Sequence, residues 1–133
     1  MMVPGILLDE LNTEVGKMMS HALVDLGLLD KNELNSKDAK KQPYRRYFMH
    51  GVAHHLGLDV HDLSDRYSPF QAGMVLTCEP GIYIPEENLG IRLENNILIT
   101  DEGPVDLAAH VPIEIEEIES LMEQSQLSAF DHS

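Results

Sequence analysis

Two apolar, β-branched stretches, residues 74–84 and 91–100, flank the turn-rich Pro-Glu-Glu-Asn-Leu-Gly of residues 85–90, and together they commit the middle of the chain to an antiparallel hairpin. With the turn centred near Glu86-Glu87, Glu79 sits opposite Glu94 and Gly81 opposite Arg92, all on one sheet face, because side chains alternate along a strand. Facing carboxylates about 5 Å apart destabilise a sheet. The pair therefore calls for a shared proton or a bound cation, unless both glutamates simply face solvent. Pro80 has no N–H to give the ladder and Gly81 no side chain, so the strand is expected to distort at Glu79 and open that carboxylate to an approaching group. Cys78 points to the other face and is expected to be a small buried apolar residue.

Upstream, residues 50–62 hold His50, His54, His55 and His61, four of the chain's seven histidines, together with Asp59 and Asp62. That density suits metal ligation or proton transfer more than packing. His50 and His54 would share a helix face, but Gly51 and Gly57 weaken a helix, so an irregular or short-turn conformation is equally compatible. The alternative is a set of surface or hydrogen-bonded core histidines.

Around this centre, apolar residues recur at helical spacing from Leu7 to Leu26, between Pro4-Gly5 and Gly27, and predict an amphipathic helix. Residues 28–43 read as an exposed, mobile loop with a short turn near 32–34, and Tyr44 to Met49 as an aromatic segment that packs. Ile115, Ile118, Leu121 and Met122 predict a second helix within residues 112–127. His21, His110 and His132 have no partner groups nearby in sequence and are given no role.

A hydrophobic content of 43% suffices for one modest core. The net charge of −14, with Lys40-Lys41 and Arg45-Arg46 the only tight basic groups, argues against nucleic acid and anionic membrane as partners. No apolar run approaches the roughly 20 residues of a membrane span. Asp9 and Glu10 follow Ile6-Leu7-Leu8 where a signal peptide would stay apolar, and the single cysteine excludes an internal disulfide, so a soluble protein of a reducing, cytoplasmic compartment is expected.

The run His50-Gly-x-x-His54-x-x-Gly57-Leu-Asp-Val-His61-Asp62, then Glu79-Pro80-Gly81-Ile-Tyr, then Gly90-Ile-Arg92-Leu-Glu94-Asn-Asn-Ile-Leu-Ile-Thr100, closely resembles the aminopeptidase P (Xaa-Pro aminopeptidase) branch of the pita-bread metallopeptidases. The resemblance extends from residue 1 to about residue 123. It implies an α+β fold, the C-terminal half of a pita bread with helices packed on a curved antiparallel sheet. Residues 1–133 would then be the C-terminal part of a catalytic domain, without the family's N-terminal domain or the first half of the catalytic domain.

The implied chemistry is release of an N-terminal residue from peptides with proline second, by attack of a water bridging two divalent ions, most often Mn(2+), with Zn or Co also suited to such ligands. Carried over by resemblance, His54 and Glu79 bind one ion and Glu94 bridges both. Arg92 matches the arginine standing behind the ligands, and Glu79 would accept the water's proton. His50 and His61 line the substrate site, with His61 steadying the oxyanion. His55, Asp59 and Asp62 match in type and are read as supporting residues.

The family's two aspartate ligands and a further substrate-site histidine lie upstream of the first helix, and Asp101, Asp106 and Asp131 stand in unrelated contexts. The expectation is therefore an incomplete site, inactive in isolation, on a fragment, truncated gene product or piece of a larger polypeptide. Its uncovered apolar faces would drive self-association or pairing with a missing half. A prolidase-type Xaa-Pro dipeptidase and a non-catalytic binding module of the same fold are the alternatives.

Overall fold

The first helix, α1 (Leu8–Asp25), begins where the Glu10 carboxylate accepts the backbone N–H of Leu7 at 2.9 Å. It ends where Gly27, at φ 74°, turns the chain back so that the N–H groups of Gly27 and Leu28 reach the carbonyls of Val24 and Leu23, both at 2.9 Å. This is the helix the periodicity predicts, and the computed structural model describes it along with the rest of residues 1–34 and 42–130. The centre of the expected loop with Lys40-Lys41, and the tail residues Asp131 and His132, lie outside the described residues. A short helix, α2 (Lys31–Leu34), forms where a turn is expected.

The apolar positions of α1 divide between two faces. Leu11, Val15 and Leu23 are buried, whereas Met18, Ala22 and Leu26, spaced by four, face outward. Tyr44, Tyr47 and Phe48 join the core, as the aromatic segment predicts, with Val52, Ala53, Phe70, Leu76 and Ile99. Leu23, Leu76 and Ile99 are fully buried; each contributes about 2 kcal/mol relative to an exposed side chain. The ring of Tyr44 lies directly over Gly16, where a Cβ would come within 2.6 Å of it, so the helix approaches the aromatic segment only because that position carries no side chain.

The hairpin is present in the expected register, but it is divided. β1 (Val75–Cys78) pairs with β4 (Asn95–Thr100), and β2 (Gly81–Ile84) pairs with β3 (Leu89–Arg92) in a separate sheet. Gly81 faces Arg92 and Cys78 faces Asn95, so the register is the same on both sides of the gap. The gap falls at Glu79-Pro80, where proline withholds its donor, and at Leu93-Glu94 across from it. The expected continuous strands are thereby corrected to two pairs, with the predicted distortion at Glu79 as the cause. The turn is a 3-10 helix (Pro85–Glu87) closed by Asn88 in the left-handed region at φ 51°. β5 (Gly103–Asp106), which no sequence signal marked because Pro104 interrupts it, extends the first sheet to the order β1-β4-β5.

On its free edge β1 meets the histidine segment, which is extended rather than helical. Glu79 N–H donates to Val52 O at 2.8 Å and Thr77 N–H to His54 O at 3.0 Å, and His55 bridges Leu76. Asn12 on α1 holds the same segment from behind by accepting Val52 N–H at 2.9 Å. A helix α3 (Ile115–Phe130) matches the predicted tail helix; residues 115–124 on it are all exposed. An apolar groove of about 550 Å³, lined in part by Met19, Leu28, Ile82, Ile91 and Leu93, opens between α1 and the β2–β3 sheet. Among the described residues, no helix is long and apolar enough to cross a membrane.

Candidate metal centre

The break in the hairpin and the strand-like histidine segment bring three ligand-type side chains together. Among the described residues, His54, Glu79 and Glu94 form the group of ligand atoms that converges, all within 4.8 Å of one another. His54 comes from the edge segment, Glu79 from the end of β1, and Glu94 from the residue before β4. Bonds of about 2.0–2.2 Å to one ion would hold ligands at most roughly 4.4 Å apart, so small side-chain adjustments suffice.

Each partner of the group is defined. Glu79 is buried. Its Oε1 lies 3.3 Å from His54 Nε2 and accepts the Thr77 hydroxyl at 3.3 Å, and its Oε2 lies 3.5 Å from Arg92. Arg92 also reaches Glu94 Oε2 at 3.4 Å, so one guanidinium joins the two facing carboxylates. The alternatives of a shared proton, a bound cation or plain solvent exposure thus omitted a further device, an arginine on the neighbouring strand. Its single charge against two carboxylates leaves the group net negative and favourable to a cation.

The imidazole is oriented for the same purpose. His54 Nδ1 lies 2.9 Å from the His55 carbonyl. A carbonyl only accepts, so Nδ1 carries the hydrogen and Nε2 of the neutral ring turns a bare lone pair toward Glu79 Oε1. Two acceptors at 3.3 Å need a positive centre between or beside them, either a proton on Nε2 or a metal ion. The residues present therefore fit a divalent cation with mixed imidazole and carboxylate ligands.

The other expected residues are placed unequally. His61 stands against His54, ring centres 4.3 Å apart. His50 is engaged by the β2–β3 sheet: its Nε2 is 2.9 Å from the Tyr83 hydroxyl, and its ring meets Phe48 at 4.8 Å. His55 faces Phe70, ring centres 6.5 Å apart. Asp62 accepts the N–H groups of Leu58 and Leu63 at 2.9 and 2.7 Å and folds the loop over Gly57. Asp59 borders a cleft of about 290 Å³ together with His54, Thr77 and Glu94. Cys78 is half-buried rather than buried; burial pushes its thiol pKa up, with further upward push from the charges of Asp106 and Glu79.

Two polar residues of the site escaped the sequence reading. Thr77 had a signal, since strand alternation sets it two residues before Glu79 on the same face. Tyr83 had none, because its contact with His50 spans 33 residues of chain. Gly81 and Gly90 make that contact possible: a Cβ on either would come within about 3 Å of the Tyr83 ring, which lies across them.

Comparison with known proteins finds relatives over most of the chain. The sequence profile of metallopeptidase family M24 matches residues 1–101. The Xaa-Pro aminopeptidase of Haemophilus influenzae is 42% identical, the match covering 92% of this chain and 31% of that protein. The low-pH form of aminopeptidase P from E. coli superposes with a TM-score of 0.80 at 39% identity, over 93% of this chain and 30% of that one. Zn-substituted E. coli aminopeptidase P in complex with product superposes with a TM-score of 0.75 at 43% identity, over 92% and 30%. The chain spans about three-tenths of the length of these relatives.

Proposed function

The chain belongs to metallopeptidase family M24 and has the α+β, pita-bread architecture of its aminopeptidase P neighbours. From that premise we propose that residues 1–133 form the C-terminal part of a catalytic domain that releases the N-terminal residue from peptides with proline in second position. The observation that carries the reading is the convergence of His54, Glu79 and Glu94 within 4.8 Å. These three residues would hold a divalent ion. The relatives being Xaa-Pro aminopeptidases favours that activity over a prolidase-type dipeptidase or a binding module.

The chemistry a divalent ion supplies when bound is polarisation of the scissile carbonyl and acidification of water. The protein does the rest. Glu79, buried with one oxygen toward His54 and the other toward Arg92, takes the proton released by the attacking water. Arg92 keeps the Glu79 and Glu94 carboxylates together as that charge changes. His61, beside His54, donates to the developing oxyanion. His50, its ring fixed by Tyr83 and Phe48, lines the substrate side.

The ligand set suits Mn(2+), with Zn or Co as substitutes, and a two-ion centre would take the aspartates that the resemblance places upstream of α1. A reducing, cytoplasmic setting fits the free Cys78, and the acidic surface fits neither nucleic acid nor anionic membrane. The test is release of the first residue from an Ala-Pro peptide with added manganese. The 133-residue chain alone gives no rate above background, and a longer polypeptide in which it is joined to a segment carrying the two aspartates cleaves. Cleavage by the short chain, or metal-loaded silence of the long one, would overturn this reading.

A further inference from the structure

Thr77 is buried on β1 between two of the three converging ligands. Its hydroxyl oxygen accepts the backbone N–H of His54 at 3.0 Å. Its hydroxyl hydrogen is donated to Glu79 Oε1 at 3.3 Å, and its own N–H donates to His54 O at 3.0 Å. The side chain has a single hydrogen to give, and a carboxylate oxygen only accepts, so in the contact with Glu79 the hydroxyl is the donor while its oxygen accepts from His54. The hydroxyl thus ties the main chain that carries the imidazole to the carboxylate oxygen that faces it, and the β-branched side chain holds that geometry with little rotamer freedom.

We propose that Thr77 is a positioning residue for the metal centre, fixing the separation of His54 Nε2 and Glu79 Oε1 before any ion arrives. The proposal rests on the reading of His54, Glu79 and Glu94 as ligands. Loss of a hydrogen bond that orients a ligand weakens metal affinity by roughly 10–100-fold, and that is the change expected for Thr77→Val, which keeps the shape and removes the hydroxyl.

Manganese binding to the 133-residue protein, followed by the paramagnetic resonance signal of the free ion, tests it alongside thermal unfolding without metal. Thr77→Ser, which restores the hydroxyl, is expected to bind within a few-fold of the unsubstituted chain, and Thr77→Val to bind more weakly by the factor above. Thr77→Ala stands in if the valine variant does not fold. Equal affinity in folded Thr77→Val or Thr77→Ala, or failure of Thr77→Ser to recover binding, would overturn the proposal while leaving the ligand reading intact. No manganese binding by the unsubstituted chain, with His54→Ala indistinguishable from it, would remove the ligand reading and the proposal together.

Discussion

Removing the Tyr83 hydroxyl isolates one contact. Tyr83→Phe takes away the partner of His50 Nε2 while leaving the ring against Gly81 and Gly90. The loss of one partly buried hydrogen bond costs about 1 kcal/mol, read as a lower urea midpoint, and the His50 ring gains mobility detectable in its proton NMR lines. Glu94→Gln keeps the shape but removes the charge that Arg92 shares with Glu79. It is expected to weaken manganese binding at least tenfold, by the scale on which site partners act, in a calorimetric titration. Cys78 tests the electrostatics directly. Burial first, then Asp106 and Glu79, raise its pKa, so the folded thiol keeps its proton to higher pH than the unfolded one. The associated stability is full below about pH 8.5 and falls as pH rises through the folded value. Alkylation at pH 8 should be slower in the native chain than in urea.

Elements meet here through glycines and a proline more than through long apolar faces. In an open helix, Gly→Ala adds roughly 0.5–1 kcal/mol of stability; Gly16→Ala should reverse that sign. The new methyl would lie 2.6 Å from the Tyr44 ring, which is itself buried, and overpacking of this kind costs about 1–3 kcal/mol. Chemical denaturation of the two proteins decides it. Gly57→Ala would drive a methyl into Asp62 Oδ2 and push away the carboxylate that holds the Leu58 and Leu63 amides. Faster hydrogen exchange at those two amides is the expected result. Pro80 works by what it lacks. Without its N–H the hairpin divides at Glu79, and the divided ladder leaves the two glutamates facing each other beside Arg92.

At the scale of the whole molecule, Leu58, Val60, Leu63 and Ile91 are more than half exposed. The outward Met18 and Leu26 add to this surface, and so does α3, exposed from 115 to 124. Apolar surface of this extent invites pairing. Light scattering should report a mass that grows with concentration, and a strict monomer at high concentration would refute the expectation. Helix α1, the hairpin register and the face shared by Glu79, Glu94, Gly81 and Arg92 were legible in the residues alone, because a 3.6 or 2-residue period and the centre of a turn are properties of neighbours along the chain. The convergence of His54, Glu79 and Glu94 came instead from the resemblance, through motifs whose order matches a known family. Only the tertiary structure decided that residues 52–55 run as an edge beside β1, that Tyr83 holds His50, and that Arg92 joins the two carboxylates. Those outcomes depend on hydrogen bonds and charges between residues far apart in sequence, whose geometry exists only once the core has closed around Leu23, Leu76 and Ile99.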